Sequence, residues 1–114
     1  MHEFSICRSL IDQVEAVARE HSASAIKAIV VGLGPLSGIQ ADELRQAFPL
    51  ASAGTIAGEA RLQIRLHPLR WRCLDCGEAS ETMTPTDRCA HCHSDNLQLL
   101  GGDQIVLEHV EVTT

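Results

Sequence analysis

The sequence predicts an α+β fold: two helices on a small three-stranded sheet, with an inserted zinc-ribbon-like module. Three observations predict it. Apolar residues near the N-terminus recur with helical spacing. Short β-branched or alternating runs follow, each closed by Gly or Pro. Two Cys-x-x-Cys pairs then stand twelve residues apart in the C-terminal half, the spacing of a tetrahedral metal site.

Residues 4–21 read as an amphipathic helix. Cys7, Leu10, Ile11, Val14, Val17 and Ala18 form the apolar stripe, with Arg8, Asp12, Glu15, Arg19 and Glu20 opposite. Cys7 is therefore a core thiol, and His21 falls in the last turn, where an imidazolium suits the helix dipole. Ile26–Leu33 is a β-branched strand ended by a turn containing Gly32, Gly34, Pro35 and Gly38. Residues 41–52 read as a second helix with Leu44, Ala47, Phe48 and Ala51 inward, expected to kink or end near Phe48 because Pro49 lacks a donor. Residues 60–67 alternate, placing Leu62, Ile64 and Leu66 on one face of a strand that Pro68 stops. Gly101-Gly102 turns into a last strand, Ile105–Val112. The predicted organisation is residues 1–69 plus 103–114 as one domain and 70–102 as a metal-binding insert, with Arg70–Trp71 and Leu100–Gly102 as hinges.

Cys73, Cys76, Cys89 and Cys92 are the predicted ligands of a structural Zn²⁺. Each pair makes a tight turn whose two sulfurs can occupy neighbouring corners of a tetrahedron, and two turns close the coordination shell. A redox Cys-x-x-Cys leaves the second pair unexplained. A catalytic zinc keeps a position open for water, which four thiolates do not. A segment of about thirty residues is too small for its own apolar core, so metal must hold it together. His91 and His93, flanking Cys92, read as exposed loop histidines, with a histidine-for-thiolate exchange as the weaker alternative.

The formal charge is −6, there is a single lysine, Lys27, and the arginines are scattered. That argues against nucleic acid as a partner despite the ribbon-like cysteines. No apolar run approaches the ~18 residues of a membrane span, and no secretory leader is recognisable. A cytoplasmic, reducing compartment is the expectation, in which clustered cysteines bind metal and do not pair as disulfides.

The chain begins Met1-His2-Glu3. A bulky residue at position two leaves the initiator Met in place, so the Met1 amine, backbone nitrogens and the His2 imidazole can form fused chelate rings. Nitrogen-rich, planar donor sets of this kind suit Ni²⁺ or Cu²⁺.

Met1-His2-Glu3, Gly34-Pro35-Leu36-Ser37-Gly38, Gly58-Glu59-Ala60, Trp71-x-Cys73-x-x-Cys76-Gly77, Cys89-x-x-Cys92 and Gly101-Gly102-Asp103 occur in this order. The whole pattern resembles the HypA/HybF family of nickel-insertion accessory proteins for [NiFe]-hydrogenase. The resemblance implies a non-enzymatic nickel metallochaperone with His2 as the essential ligand for transient Ni(II). Met1 and Glu3 would supply the amine and a backbone amide, and Zn(II) would sit on the four cysteines. Implied partners are a nickel-handling maturation GTPase (HypB-like) and the hydrogenase large subunit; some members also serve urease. Where the family usually carries a Phe-Cys-Phe-Asp-like stretch, this chain has Gln46-Ala47-Phe48-Pro49. The rival reading is a zinc-stabilised protein–protein adaptor without nickel chemistry.

Overall fold

The computed structural model describes residues 2–114. Its elements are α1 (His2–Glu20), β1 (Ala25–Leu33), α2 (Ala41–Ser52), β2 (Arg61–Leu66), β3 (Leu69–Cys73), β4 (Ala79–Thr82), β5 (Leu97–Gly101) and β6 (Ile105–Thr113). They form two three-stranded sheets, ordered β2-β1-β6 and β4-β3-β5. The chain divides into two compact units. The first holds the residues up to Gly32, Ile39–Arg65 and Val106–Thr114; the second holds Leu33–Gly38 and Leu66–Ile105.

In the first unit α1 packs on α2. Cys7, Leu10, Ile11, Val14 and Ala18 are buried along α1, the stripe that the helical period marks out apart from Val17, which is half-buried. Leu44, Ala47 and Phe48 answer from α2, and Ile26, Ile29 and Val31 from β1. Burial and a nearby Glu3 push the Cys7 thiol up, as suits an inert packing group. The start of α2 is closed by the Glu43 carboxylate, which accepts from the Gln40 backbone N–H at 2.9 Å.

Helix α2 has the expected bounds, Ala41–Ser52, with Pro49 inside it, so of the two effects expected of Pro49 it does not end the helix near Phe48. Pro49 removes the bond to the Arg45 carbonyl, but residues 45 and 49 are both on the exposed face, so water can satisfy that carbonyl. In β2, Leu62 and Ile64 are half-buried as expected, whereas Leu66 is 61% exposed. It is the last residue of the strand and opens the second unit.

In the second unit β3 is the central strand. It pairs antiparallel with β4 (Leu69↔Thr82, Trp71↔Ser80) and with β5 (Trp71↔Leu99, Cys73↔Leu97), with a bulge at Arg70/Trp71. The residues expected to be hinges, Arg70–Trp71 and Leu100–Gly102, therefore lie largely within a paired ladder. The Trp71 indole N–H donates to Thr82 Oγ1 at 2.9 Å, and that hydroxyl passes its own hydrogen to the Thr84 carbonyl at 2.7 Å.

The Gly34–Gly38 turn is stitched to the strand-connecting glycines. Gly34 N–H donates to Gln104 O at 3.1 Å and Leu36 N–H to Gly102 O at 3.0 Å. The backbones approach so closely that a Cβ on Gly34 would lie 2.1 Å from Gly102 O, and Gly102 itself has φ +103°. Since the obstacle is backbone, a flexible side chain cannot yield. Gly34→Ala is expected to destabilise the protein by roughly 2–4 kcal/mol, read as a lower urea midpoint. An unchanged midpoint would show that the turn is free to move away.

Candidate metal centre

The two cysteine pairs fold as repeats of one local structure. In the first, Gly77 N–H donates to Cys73 O at 2.9 Å and Cys73 N–H to Glu78 O at 2.9 Å. In the second, His93 N–H donates to Cys89 O at 3.0 Å and Cys89 N–H to Ser94 O at 2.7 Å. The residue after the second cysteine adopts positive φ in both, +79° at Gly77 and +63° at His93. This left-handed residue turns the chain back so that both sulfurs face inward. A histidine tolerates that region less well than glycine does, and no sequence period reveals it. Backbone N–H groups also reach the sulfurs: Cys76 N to Cys73 Sγ at 3.4 Å and His91 N to Cys89 Sγ at 3.3 Å.

All four Sγ atoms lie within 4.8 Å of one another. Cys73 Sγ is 3.5 Å from Cys92 Sγ, and Cys76 Sγ is 3.7 Å from Cys89 Sγ. Sulfurs bonded to one tetrahedral zinc at ~2.3 Å stand about 3.8 Å apart, whereas a disulfide needs ~2.05 Å. All five cysteines are free, and the donor set fits a structural four-thiolate metal site. Apart from Cys73 and Cys89, the buried hydrophobic side chains of the second unit are Leu33 and Leu69, too few for an apolar core, and a metal on the four sulfurs would stand in place of one.

The thiols are unequal. Backbone N–H groups at Cys92 and His91 pull Cys89 down to about 6, and those at Cys76 and Asp75 lower Cys73. The N–H of Glu78 pulls on Cys76, but burial and the neighbouring sulfurs outweigh it and push this thiol up to about 12. Cys92 is raised too: the Ser94 N–H pull is outweighed by the Cys73 sulfur, burial and Cys89. Metal must displace protons from at least Cys76 and Cys92 at neutral pH, so affinity rises with pH and acid releases the ion.

A side-chain bridge joins the two repeats. The Ser94 hydroxyl donates to Asp75 Oδ2, and Asn96 Nδ2 donates to Asp75 Oδ1 at 3.3 Å. Asn96 N–H in turn donates to Ser94 Oγ at 3.0 Å. These bonds, Ser94 first, hold the Asp75 carboxyl below the usual carboxylate range. None of the three residues is distinguished by sequence spacing alone; the only trace is an acid inside Cys-x-Asp-Cys. At the second repeat Arg88 Nη1 donates to the His93 carbonyl at 3.2 Å, and the His91 and His93 side chains are exposed.

At the other predicted site, His2 is exposed and is the first residue of α1, with Glu3 beside it half-buried. Met1 lies outside the described residues. No helix among the described residues is long and apolar enough to cross a membrane.

A family model described as "Hydrogenase/urease nickel incorporation, metallochaperone, hypA" matches residues 1–112. This chain belongs to the HypA family. HypA of Nitrosospira multiformis is 39% identical over 114 residues, covering 100% of this chain and 99% of the relative. HypA of Aquifex aeolicus is 38% identical, covering 98% and 97%. HybF of Salmonella typhimurium is 30% identical, covering 98% and 99%. Each of these three is named a hydrogenase maturation factor. Among solved structures, the Ni metallochaperone HypA from Helicobacter pylori matches with a TM-score of 0.72 at 26% identity, over 97% of both chains. A second HypA solution structure gives 0.75 at 29% identity, over 98% of this chain and 96% of that one. The HypA family comprises nickel metallochaperones and maturation factors, not catalysts.

Proposed function

We propose that this HypA-family chain holds Ni(II) at Met1-His2-Glu3 and delivers it during [NiFe]-hydrogenase maturation, while Zn(II) on Cys73, Cys76, Cys89 and Cys92 is structural. The observation that carries the reading is the position of His2. It is exposed at the very start of α1, in a chain whose family match begins at residue 1. The first N–H groups of a helix have no carbonyl one turn back to bond to. The His2 and Glu3 amides can therefore turn to a metal, and lose their protons to it, without breaking a helical hydrogen bond. The Met1 amine and His2 imidazole complete a nitrogen donor set suited to Ni(II).

Cargo that must be passed on belongs at an exposed terminus, whereas a permanent ion belongs in a closed thiolate shell. The delivery route we propose runs through a HypB-like maturation GTPase to the hydrogenase large subunit in the cytoplasm. The family description names urease as well, which makes a urease apoprotein a second destination for the same cargo. Because the amine, the imidazole and the amides must all shed protons, nickel affinity should fall about tenfold or more per pH unit below neutrality. Calorimetric Ni²⁺ titration of zinc-loaded chain between pH 8 and 6 checks this. One weakening nickel site beside one retained zinc is expected. Absence of any specific nickel site at pH 8 would leave the protein a zinc-stabilised adaptor.

A further inference from the structure

We infer that Asp75 is a positioning residue for the metal centre: its carboxylate clasps the two cysteine repeats together through Ser94 and Asn96 and so slows loss of the bound ion. The inference rests on the structural zinc reading given above.

The two repeats have the same backbone bonds, so either can form its turn without help from a side chain. The residue equivalent to Asp75 in the second repeat is His91, and that turn closes equally well. Asp75 is therefore not needed to shape its own loop. What it contributes runs between the repeats. Its Oδ2 accepts from Ser94, two residues beyond the ligand Cys92. The Ser94 carbonyl takes the N–H of Cys89 at 2.7 Å. One residue thus links the loop of Cys73 and Cys76 to both ligands of the other loop. A second strand of the clasp runs from Asp75 Oδ1 to Asn96 Nδ2, and Asn96 O accepts from the Leu74 N–H at 2.9 Å.

Zinc leaves a four-thiolate site when one pair of sulfurs swings away from the other. Hinging the repeats apart requires the Asp75 bonds to break. Electrostatics alone would not place a carboxylate here, because four thiolates around Zn²⁺ already carry net negative charge. Its value lies in fixing geometry, as partners of metal ligands do elsewhere.

The test measures zinc release from the full zinc-loaded chain to a chromogenic chelator in excess. Asp75→Ala is expected to release zinc about 10- to 100-fold faster. Asp75→Asn keeps an acceptor oxygen for Ser94 and should fall between parent and Asp75→Ala. Ser94→Ala should accelerate release, and the double variant should fall short of the product of the two single effects, since the singles share the Ser94–Asp75 bond. Asp95→Ala removes an exposed acid from between Ser94 and Asn96 and should release zinc at the parental rate. Cobalt-substituted Asp75→Ala should retain the absorption bands of a tetrahedral thiolate site, which separates loosened geometry from a changed ligand set. Parental release from Asp75→Ala, equal acceleration by Asp95→Ala, or multiplying effects in the double variant would each overturn the clasp. If Asp75→Ala fails to load, Ser94→Ala decides the matter by the same readout. A parent chain that binds no zinc would instead sink the metal-site reading itself.

Discussion

Cys76→Ser is expected to cost the chain its zinc and, with it, the folded state of the second unit, while α1, α2 and their sheet persist. The serine oxygen cannot replace a thiolate at ~2.3 Å from zinc. Three remaining sulfurs then leave an open shell. In zinc-finger peptides metal binding is worth about 10–16 kcal/mol of folding free energy, comparable to the roughly 5–15 kcal/mol by which whole domains are stable. Two buried hydrophobic side chains outside the ligands, Leu33 and Leu69, cannot make up that loss. The first unit has its own core, with Ile11, Val14, Ile29, Val31 and Leu44 fully buried. Hydrogen exchange on the variant should show the amides of β3, β4 and β5 unprotected and those of α1 protected. Collapse of protection throughout α1 would contradict independent stability of the first unit.

His2→Ala should remove specific nickel binding, weakening it on the order of a hundredfold or more, or about 2.7 kcal/mol, with zinc content unchanged. The imidazole is the one side-chain donor in the proposed set, and its neighbours Glu3 and Phe4 offer no nitrogen beyond the backbone. Parallel nickel and zinc measurements on this variant separate the two metals. Loss of both would mean that the substitution acts through folding. Retention of both would remove His2 from the site.

Much of this architecture was legible before any coordinates, for physical reasons that differ by element. Helix α1 was readable because its stripe from Cys7 to Ala18 is continuous and its opposite face is charged. The cysteine cluster was readable because metal geometry constrains spacing tightly. Strands β3, β4 and β5 were not. Each has four or five residues, and Arg-Trp-Arg or Ala-Ser-Glu-Thr offers no inward apolar series. Their stability comes from pairing and from the metal, neither of which leaves a periodic trace. The bounds of α2 were readable from its apolar spacing, but not that Pro49 would leave the helix running on; Pro49 and Arg45 are exposed, so water can take up the carbonyl left unbonded. The Asp75 bridge was invisible because Asp75 and Asn96 are 21 residues apart.

The amino terminus also distinguishes this reading from a generic zinc protein. A histidine anywhere on an exposed helix can bind nickel weakly through its imidazole. The proposed site instead requires the free amine of Met1 beside His2, so it is sensitive to what precedes residue 1. Appending two residues ahead of Met1 leaves every side chain of the chain intact but moves the free amine away. Nickel titration of this extended chain against the unextended one is the most direct measurement. Specific nickel binding should disappear while one zinc per chain is retained; an extended chain that binds nickel as tightly as the original would contradict the account.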